Sequence, residues 1–600
     1  MPIKQNSRDM IEESCKWDLS LIYKNDNDWY NEYNKLSEQV LNFSKYKGNI
    51  LNNAETLLNT LDDQMNIERI LSKLYVYAYM RSDEDTGNTY YQKLKGEIDN
   101  LAVTVSETTS FVVPELLNGD YEVVAKYILE VPKLSNYKRM ITEIYRSKRY
   151  TLTDNEEKIL SKLSNVLGLS DDIATLARNS DLIFGTISDE DGHLVELTNS
   201  NYSKYIESHN REVRKNAFLT LYKGYESIKN TLAKTLSGEV ERNNTIANIR
   251  GFENALEMSL FGGNIDSKIY NNLIKVVNEK LDVLHKYYQL KKECLEVDEL
   301  TLYDVHVPIV GELKKTYNFD NAKELINKAL KVLGENYLND LNRAFTEKWI
   351  DIYPNTGKKS GAYSWGCYDS NPYILLNYQD RIDDVSTLAH ELGHSIHSLY
   401  SRKNNEYQDS DYKIFVAEVA SIVNELLLYN YMLETTNDRD EKLGILNNMM
   451  DLFKSTLYRQ TMFAEFELDI YNRANNNEIL THELLSKIYY DLNEKYFGKN
   501  VLVNDEIKYE WARIPHFYMN FYVYQYATGL SAACAIVKDI TSGKPNAVEN
   551  YLEFLKTGGR DYPVELLKIA GVDMSESKVI ESAISLFDDI INQFIDLRNN

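Results

Sequence analysis

The sequence predicts a mainly α-helical protein with a small β component. The 600 residues include only 9 Pro and 25 Gly, and this scarcity favours long helices over turn-rich sheets. Apolar residues recur every three or four positions through residues 28–180, about 200–298, and from 383 onwards. Segments with strand-like composition are confined to two zones between these helical regions.

The length of the chain predicts more than one domain. A chain of 600 residues exceeds what one hydrophobic core usually organises, so two or more packed subdomains are expected. The first 200 residues carry little chemistry of their own, whereas the motifs described below lie beyond them. We therefore predict an N-terminal helical domain over residues 1–200 and a second, chemistry-bearing domain over residues 201–600.

Composition and charge limit the possible partners. The chain has 67 basic and 91 acidic residues, a net charge of −24, so neither nucleic acid nor an anionic membrane is an expected partner. The N-terminal residues lack the apolar core of a signal peptide, and no segment approaches ~18 consecutive apolar residues, which predicts a cytoplasmic protein. The four cysteines are far apart in the sequence and are expected to be free, reduced thiols.

The two strand-like zones differ in pattern. In residues 182–198, two short apolar runs flank an acidic turn that contains glycine, which predicts a β-hairpin. Further along, four segments rich in β-branched and aromatic residues predict a small β element just before a histidine-rich segment. These segments are LTLYDVHVPI (300–309), KWIDIYP (348–354), GAYSWGCY (361–368) and PYILLNY (372–378).

The histidine-rich segment, TLAHELGHSIHSLY (387–400), is predicted to lie on a helix. It holds three of the nine histidines of the chain. Asp383 and Asp384 are suitable N-cap residues for this helix. Apolar residues recur along it at helical spacing and predict its buried face: Val385, Leu388, Leu392, Ile396 and Leu399.

Within this helix, His390, Glu391 and His394 form the pattern HExxH. Two histidines four residues apart lie one turn apart on the same helix face, so both imidazoles can bind one Zn²⁺. Glu391 lies about a quarter turn away, where it can activate a water molecule rather than bind the metal. The alternative is an accidental pattern on a surface helix, and such accidents occur. In THELL (481–485), His482 and Glu483 begin the same motif, but Ser486 occupies the position of the second histidine.

His397 continues the same helix face but is a poor third ligand. It lies about 10 Å along the helix axis from His390, so one ion cannot reach all three histidines of a straight helix. No glycine-mediated chain reversal separates it from His394. We therefore predict that His397 is a structural residue or a partner of a ligand, and not a ligand itself.

A third ligand is expected downstream, because catalytic zinc usually has three protein ligands and one open position. DYKIFVAEVASIVNELLLYNYML (411–433) is a strongly apolar helix with two acidic residues in its centre, Glu418 and Glu425. These carboxylates are seven residues apart and lie on one face, near small residues that permit a close helix approach. We predict Glu418 as the third ligand and Glu425 as a partner that orients a ligand imidazole. The alternative is two surface carboxylates on an amphipathic helix.

Several motifs together resemble the thimet oligopeptidase superfamily of zinc metallopeptidases, and oligoendopeptidase F in particular. The resemblance begins with HELGHSIH and the FVAEVASIVNE that follows it, and this pair is far more specific than HExxH alone. It extends from about residue 115 to the C-terminus. The other similar segments are the hairpin near 190, LFGG (260–263), GKKSGAYSWG (357–366), PYILLNY and IPHFYMNFYVYQYATG (514–529).

The resemblance implies a fold, a cofactor and an activity. The implied fold is a helical ellipsoid in which N-terminal helices wall a deep substrate channel, with one Zn²⁺ per chain at its floor. The implied activity is zinc-dependent hydrolysis of internal bonds in short oligopeptides. The residues that match the family motif are His390, His394 and Glu418 as zinc ligands and Glu391 as general base.

The tyrosine-rich segment allows two interpretations. Tyr518, Tyr522 and Tyr526 repeat every four residues, which by itself predicts an aromatic stripe packed in the core. The resemblance implies instead that a histidine and tyrosines of this segment donate hydrogen bonds to the oxyanion of the tetrahedral intermediate. On that basis we predict His516, Tyr522 and Tyr526 as catalytic residues.

Substrate binding is predicted at the strand-like segment that precedes the motif helix. Tyr373, Ile374 and Leu375 are candidates for an edge strand against which an extended peptide pairs through main-chain hydrogen bonds. An interior strand is the alternative. Two other functions also stay open: an HExxH exopeptidase, which would need groups that hold a peptide terminus, and an inactive peptide-binding protein, which the intact Glu391 disfavours. The sequence carries no signal for an oligomeric state.

Overall fold

The computed structural model describes residues 6–311 and 315–599, and helices dominate it. Helix accounts for 72% of the structure and strand for 3%, which confirms the mainly α-helical fold class. The α-helices are α1 (Asp26–Phe43), α2 (Ala54–Asp83), α3 (Thr89–Thr109), α4 (Val112–Asn118), α5 (Tyr121–Glu130), α6 (Lys138–Ser147), α7 (Asp154–Leu176), α8 (Tyr202–Ile206), α9 (Arg211–Ser227), α10 (Lys229–Arg250), α11 (Ala255–Phe261), α12 (Ser267–Glu279), α13 (Leu281–Cys294), α14 (Phe319–Ala329), α15 (Glu335–Thr346), α16 (Ile382–Asn404), α17 (Ile414–Thr435), α18 (Arg439–Phe453), α19 (Arg459–Asn475), α20 (His482–Phe497), α21 (Tyr524–Thr541), α22 (Ala547–Thr557), α23 (Pro563–Ile569) and α24 (Ser577–Asn599). The strands are β1 (Thr186–Ser188), β2 (Leu194–Glu196), β3 (Leu300–Thr301), β4 (Ile350–Asp351), β5 (Tyr363–Trp365), β6 (Tyr373–Leu375) and β7 (Val501–Leu502).

The chain divides into two compact units, each assembled from three separate segments. Unit 1 comprises Met1–Thr151, Lys315–Met432 and Ile536–Gly571. Unit 2 comprises Leu152–Lys314, Leu433–Ala535 and Val572–Asn600. These units do not follow the division at residue 200, because distant segments return to pack on each other. The role assigned to residues 1–200 as a separate channel wall therefore stays a prediction.

Unit 1 contains a three-stranded sheet in the order β4-β6-β5, which packs against α16. Strand β6 pairs in parallel with β4 and antiparallel with β5, with Ile374 opposite both Ile350 and Ser364. All three residues of β6, Tyr373, Ile374 and Leu375, are fully buried. The prediction of an edge strand at these residues is therefore wrong, because both of their main-chain edges are already paired. The interior-strand alternative is correct.

Unit 2 is largely helical and contains two small strand pairs. Strands β1 and β2 form an antiparallel hairpin with Ile187 opposite Val195, which confirms the hairpin predicted at 182–198. Gly192 adopts a φ of +81° in its turn, a conformation that glycine accommodates without strain. Strands β3 and β7 pair in parallel although about 200 residues separate them. Extensive contacts join α7 to α10 and α18 to α24.

Helix α16 begins slightly earlier than the sequence indicated. Its N-cap is Arg381, and neither Asp383 nor Asp384 occupies that position. The carboxylate of Asp384 instead accepts the backbone N–H of Arg381 at 2.8 Å from inside the first turn. An acidic residue in the first turn also favours the helix dipole, so the same side chain stabilises this helix from a different position. Of the predicted apolar face, four residues are fully buried and Leu399 is half-buried.

Helix α17 is long and apolar enough to cross a membrane by length and composition alone. Two-thirds of its most apolar window is buried inside the structure, which is typical of a core helix. The helix also carries the two carboxylates, Glu418 and Glu425, that the sequence singled out.

All four cysteines are free, as predicted.

Candidate metal centre

Helices α16 and α17 of unit 1 approach each other closely at Gly393. A Cβ added at this glycine would meet backbone atoms of Ala420 and Ser421 at 2.6 Å, so no larger residue fits without a shift of the backbone. The small residues noted in the sequence are thus at the contact itself. Asn424 adds a polar link, because its side-chain NH₂ donates to the carbonyl oxygen of Ala389 at 3.1 Å.

This close approach brings three potential metal ligands together: His390 and His394 from α16 and Glu418 from α17. The two Nε2 atoms lie 3.2 Å apart. The Oε2 atom of Glu418 lies 3.3 Å from Nε2 of His390 and 3.6 Å from Nε2 of His394. All three side chains are about one-fifth to one-quarter exposed. The cluster is therefore anchored in the core but open on one side.

The three donor atoms fit a zinc ion. Two imidazole nitrogens and one carboxylate oxygen are a donor set that Zn²⁺ uses in catalytic sites. Ligands at roughly 2.0–2.1 Å from a tetrahedral metal lie about 3.3 Å from one another. The separations of 3.2–3.6 Å match this value, and the open side leaves room for a fourth ligand.

Glu425 lies behind His390. Its Oε2 atom is 2.9 Å from Nδ1 of His390, and its Oε1 atom accepts a hydrogen bond from the Ser386 hydroxyl at 2.6 Å. Ser386 in turn accepts a hydrogen bond from the hydroxyl of Tyr429 at 2.8 Å. This series of hydrogen bonds fixes the ring of His390 so that Nε2 points toward Glu418. Orienting the ring in this way is the usual role of a carboxylate beside a ligand imidazole.

Glu391 is buried next to the two histidines, with 7% of its surface exposed. Among the described residues, nothing forms a hydrogen bond with its buried Oε2 atom. Burial raises the pKa of Glu391, and the neighbouring His394 and His390 reduce this effect only in part. A buried carboxylate with an unused oxygen is expected at a site that receives another group.

His397 lies outside the three-donor cluster. Its ring stacks on Tyr412 at 3.6 Å between ring centroids and with 2° between the ring planes, and Phe554 packs against it. Burial, together with the nearby His394, lowers the pKa of His397 to about 3. The ring is therefore neutral and packed among aromatic residues, and its role as a structural residue or a partner of a ligand stays a prediction.

Proton binding and metal binding compete at the cluster. Burial alone would raise the pKa of Glu418, but hydrogen bonds with His390 and His394 outweigh it and hold the pKa well below its usual range. Burial alone would lower the pKa of His390, but Glu418 and Glu425 raise it well above its usual value. Without a metal, these shifts favour a proton on the imidazole of His390, and this proton must leave when a cation binds.

The predicted catalytic residues His516, Tyr522 and Tyr526 belong to unit 2, where they form a cluster of their own. The ring centroids of His516 and Tyr522 are 6.1 Å apart, and Tyr526 lies 6.2 Å from His516 and 5.5 Å from Tyr522. All three rings are partly exposed. Burial lowers the pKa of His516. Their catalytic role stays a prediction.

Several residues around the metal centre were missed by sequence reasoning. Ser386 and Tyr429 complete the hydrogen-bond chain to Glu425, and the glycine of HELGH permits the helix contact. The glycine could have been found, because a glycine within a helix usually indicates a close packing contact. Ser386 carried no such signal, since a serine at this position is equally compatible with a solvent-exposed helix face.

Comparisons with known proteins identify the family of this chain. A family model described as peptidase family M3 matches residues 204–586, and one described as oligopeptidase F matches residues 115–184. Oligopeptidase PepF of Bacillus subtilis is 43% identical over 591 residues, which cover 98% of this chain and 88% of that protein. An oligoendopeptidase F homolog of Lactococcus lactis is 38% identical, with 98% of each chain covered.

A solved structure gives the same result for the fold. The crystal structure of oligoendopeptidase-F from Enterococcus faecium matches with a TM-score of 0.77 and 37% identity, covering 96% of this chain and 99% of that one. The family match extends over more than half of the chain and includes the whole metal centre. The chain therefore belongs to peptidase family M3 and is a metallo-oligopeptidase of the oligoendopeptidase F type.

Proposed function

We propose that the protein is a zinc-dependent endopeptidase that hydrolyses internal peptide bonds of short oligopeptides. The observation that carries this proposal is the set of three donor atoms, from His390, His394 and Glu418, at mutual distances of 3.2–3.6 Å. Membership of family M3 and the names of the relatives support both the metal chemistry and oligopeptide substrates.

In this proposal His390, His394 and Glu418 hold one Zn²⁺ per chain, and Glu425 keeps His390 in the orientation that binding requires. When bound, the zinc ion acts as a Lewis acid that polarises the scissile carbonyl and lowers the pKa of a water molecule. Each of the three residues offers one donor atom toward the same point, and the partial exposure of the cluster allows a peptide to reach it.

Glu391 acts as general base and then as general acid. Its carboxylate accepts a proton from the attacking water and later donates it to the nitrogen of the leaving amine. Its burial beside the cluster, which raises its pKa, supports this role, because a more basic carboxylate accepts a proton more readily. The backbone of α16 holds it next to both imidazoles without making it a ligand.

The cluster formed by His516, Tyr522 and Tyr526 supplies hydrogen-bond donors for the oxyanion in this proposal. A phenol hydroxyl and an imidazole N–H can both donate to an oxygen that gains negative charge during attack. The partial exposure of the three rings supports this role, because a ligand can reach them.

An extended substrate requires a free strand edge, and β5 offers one in place of β6. Strand β5 is the outer strand of the order β4-β6-β5, and within the described ranges no further strand pairs with it. The hydroxyl of Ser364 in β5 lies 2.8 Å from that of Ser395, the residue after His394. We infer that the peptide backbone adds to β5. Such main-chain pairing gives broad sequence specificity.

A further part of the proposal rests on the family resemblance. The N-terminal helices are proposed to wall a deep channel that limits substrates to flexible oligopeptides.

One experiment tests the proposed activity. A mixture of peptides of different lengths, some with both termini blocked, is digested with the metal-loaded enzyme and read by mass spectrometry. The expected result is internal cleavage of the blocked peptides, which stops after exhaustive chelation and returns when Zn²⁺ is added. Full activity without metal would refute the proposal, and cleavage of unblocked peptides alone would indicate an exopeptidase instead.

A further inference from the structure

The segment that leads into the proposed oxyanion cluster has an unusual backbone conformation. Asn520 and Phe521, in unit 2, adopt φ values of +46° and +59°. Two successive non-glycine residues in the left-handed region are rare, and for a bulky aromatic residue such a conformation is strained. Strained residues of this kind persist only where the surroundings hold them, and they are concentrated at functional sites.

Glu467 of α19 holds this strained segment. Its Oε1 atom accepts the backbone N–H of Phe521 at 2.6 Å. The side chain of Glu467 is completely buried, and within the described part of the chain its Oε2 atom has no hydrogen-bond partner. Burying an acid that makes only one short hydrogen bond costs free energy of folding. This cost indicates that the bond to the strained backbone amide has a role.

Other contacts fix the same two residues but not their backbone N–H groups. The hydroxyl of Ser259 donates to the carbonyl oxygen of Asn520 at 2.8 Å. The ring of Phe521 is buried between Tyr270 and Tyr471, with ring centroids 5.6 Å and 4.5 Å away. Aromatic packing therefore anchors the side chain, while the direction of the chain at Phe521 depends on Glu467.

The direction of the chain at Phe521 decides where the next residue, Tyr522, is placed. Tyr522 is bonded directly to the strained residue and precedes helix α21, which carries Tyr526. If Phe521 relaxed to a negative φ, the following peptide would rotate and move the ring of Tyr522 away from His516. The 6.1 Å separation of these two rings thus depends on the conformation that Glu467 maintains.

We propose that Glu467 is a positioning residue that holds Tyr522 in the cluster with His516 and Tyr526 through the N–H of Phe521. This inference rests on the proposed function of that cluster as an oxyanion donor. Glu467 acts on Tyr522 only through its hydrogen bond with the N–H of Phe521, and it takes no part in proton transfer to the substrate.

The protonation state of Glu467 agrees with this role. Burial raises its pKa to about 8, and the N–H of Phe521 offsets this effect only in part. The carboxyl group is therefore mostly neutral at pH 7, and it serves Phe521 as a carbonyl-type acceptor. A glutamine side chain offers the same neutral acceptor in the same place, whereas methionine fills the space without offering one.

The test compares Glu467→Gln and Glu467→Met in the full-length, zinc-loaded enzyme. Glu467→Met should lower kcat by roughly 10- to 100-fold with little change in KM, because small displacements of catalytic groups have effects of this size. Glu467→Gln should keep kcat within about twofold of the wild type. Thr461→Val is the matched control, because it removes a fully buried side-chain hydrogen bond from the same helix without touching the segment.

Amide hydrogen exchange gives a readout that does not depend on activity. In Glu467→Met, peptides that cover residues 519–526 should exchange faster, and they should exchange as in the wild type in Glu467→Gln and Thr461→Val. Unchanged exchange in Glu467→Met, or a loss of kcat no larger than that of Thr461→Val, would overturn the proposal. An equal loss in Glu467→Gln would do the same.

A double variant separates this inference from the proposed function. In a Tyr522→Phe background, Glu467→Met should lower kcat by less than about twofold further, because the group that it positions is already gone. A fully additive loss would contradict the proposal. If Tyr522→Phe alone keeps the wild-type kcat, the donor role of Tyr522 is wrong. Faster exchange of residues 519–526 in Glu467→Met would still establish that Glu467 fixes the conformation of this segment.

Discussion

Gly393 of α16 lies against Ala420 of α17 so closely that a Cβ on the glycine would be 2.6 Å from the carbonyl oxygen of Ala420. The contact lies one residue from His394 and two from Glu418, the residues that face each other across these helices. The spacing of the two helix backbones, and not only the identity of the ligands, thus determines whether the three donor atoms converge.

The first prediction concerns this contact. In Gly393→Ala the added methyl group meets backbone, which cannot rotate away, so the helices must separate and Glu418 moves from the histidines. We expect zinc affinity to fall by roughly tenfold or more, measured by competition with a chromophoric chelator. Gly96→Ala is the control: Gly96 lies on an exposed part of α3, and apart from its chain neighbours and the adjacent backbone of its own helix no atom lies within 4 Å of the new Cβ. It should retain zinc and gain up to about 1 kcal/mol of stability.

The second prediction separates ligand from base. Glu391→Gln preserves shape and leaves the three donors in place, so the metal content should stay at one zinc per chain while kcat falls by ~10²-fold or more. Glu418→Ala should lose both zinc and activity. Metal content is measured by mass spectrometry on the purified variants. If Glu418→Ala kept its zinc and Glu425→Ala did not, the roles of the two carboxylates would have to be exchanged.

The third prediction concerns the hydrogen-bond chain behind His390. Ser386→Ala removes the hydroxyl that donates to Glu425 at 2.6 Å and leaves the carboxylate facing His390 less firmly held. Because partners of ligand residues contribute about 10- to 100-fold to metal affinity, Glu425→Gln should weaken zinc binding by that amount. Ser386→Ala should have a smaller effect in the same direction. An unchanged zinc dissociation constant in both variants would show that these hydrogen bonds do not orient His390.

Much of the metal centre could be predicted from the sequence, because it depends on short-range spacing. His390 and His394 are one helical turn apart, and Glu418 and Glu425 are two turns apart, so each pair shares a helix face in any helical arrangement. The contact between the two helices also follows from local composition, since small residues lie on both sides of it. Helix α16 and the β-hairpin were predictable for the same reason.

Other features depend on contacts between distant segments and could not be predicted. Whether Tyr373–Leu375 is an edge or a central strand depends on β4 and β5, and an apolar run is compatible with either position. The two compact units each combine three segments, so no single boundary in the sequence marks them. The left-handed conformation of Phe521 has no local signal, because it is imposed by Glu467, 54 residues away.

The fourth prediction concerns stability against acid in unit 2. Glu510 is buried, and its carboxylate accepts hydrogen bonds from Arg459 and Tyr489, both at 2.7 Å. Burial alone would raise the pKa of Glu510, but the charges of Arg459 and Arg513 outweigh it and lower the pKa to about 2. Since this value lies below that of the unfolded chain, the carboxylate contributes stability above pH ~4.5 that is lost as the pH falls toward 2.

Glu510→Gln should therefore be less stable than the wild type at pH 7, because Arg459 loses its charged partner in a buried site. The difference in the free energy of unfolding should shrink by about 3 kcal/mol between pH 5 and pH 2, following the shift in pKa. Urea unfolding at several pH values measures this difference. The other carboxylates are present in both proteins, so their titration cancels in the comparison. A difference that is the same at pH 6 and pH 3 would contradict the assigned ion pair.

The last prediction concerns the size of the substrate and rests on the family resemblance. A peptide that adds to the edge of β5 must be extended, with its main-chain N–H and C=O groups free to pair. In a folded protein these groups are already hydrogen-bonded, and a channel walled by helices would also exclude its bulk. We expect a flexible peptide to be cut at an internal bond, and a compact protein that contains the same segment to stay intact under identical conditions. The unfolded form of that protein is the control, because it should be cut like the peptide. Equal cleavage rates for the folded protein and the peptide would refute the enclosed channel, although the zinc site proposed at His390, His394 and Glu418 would still stand.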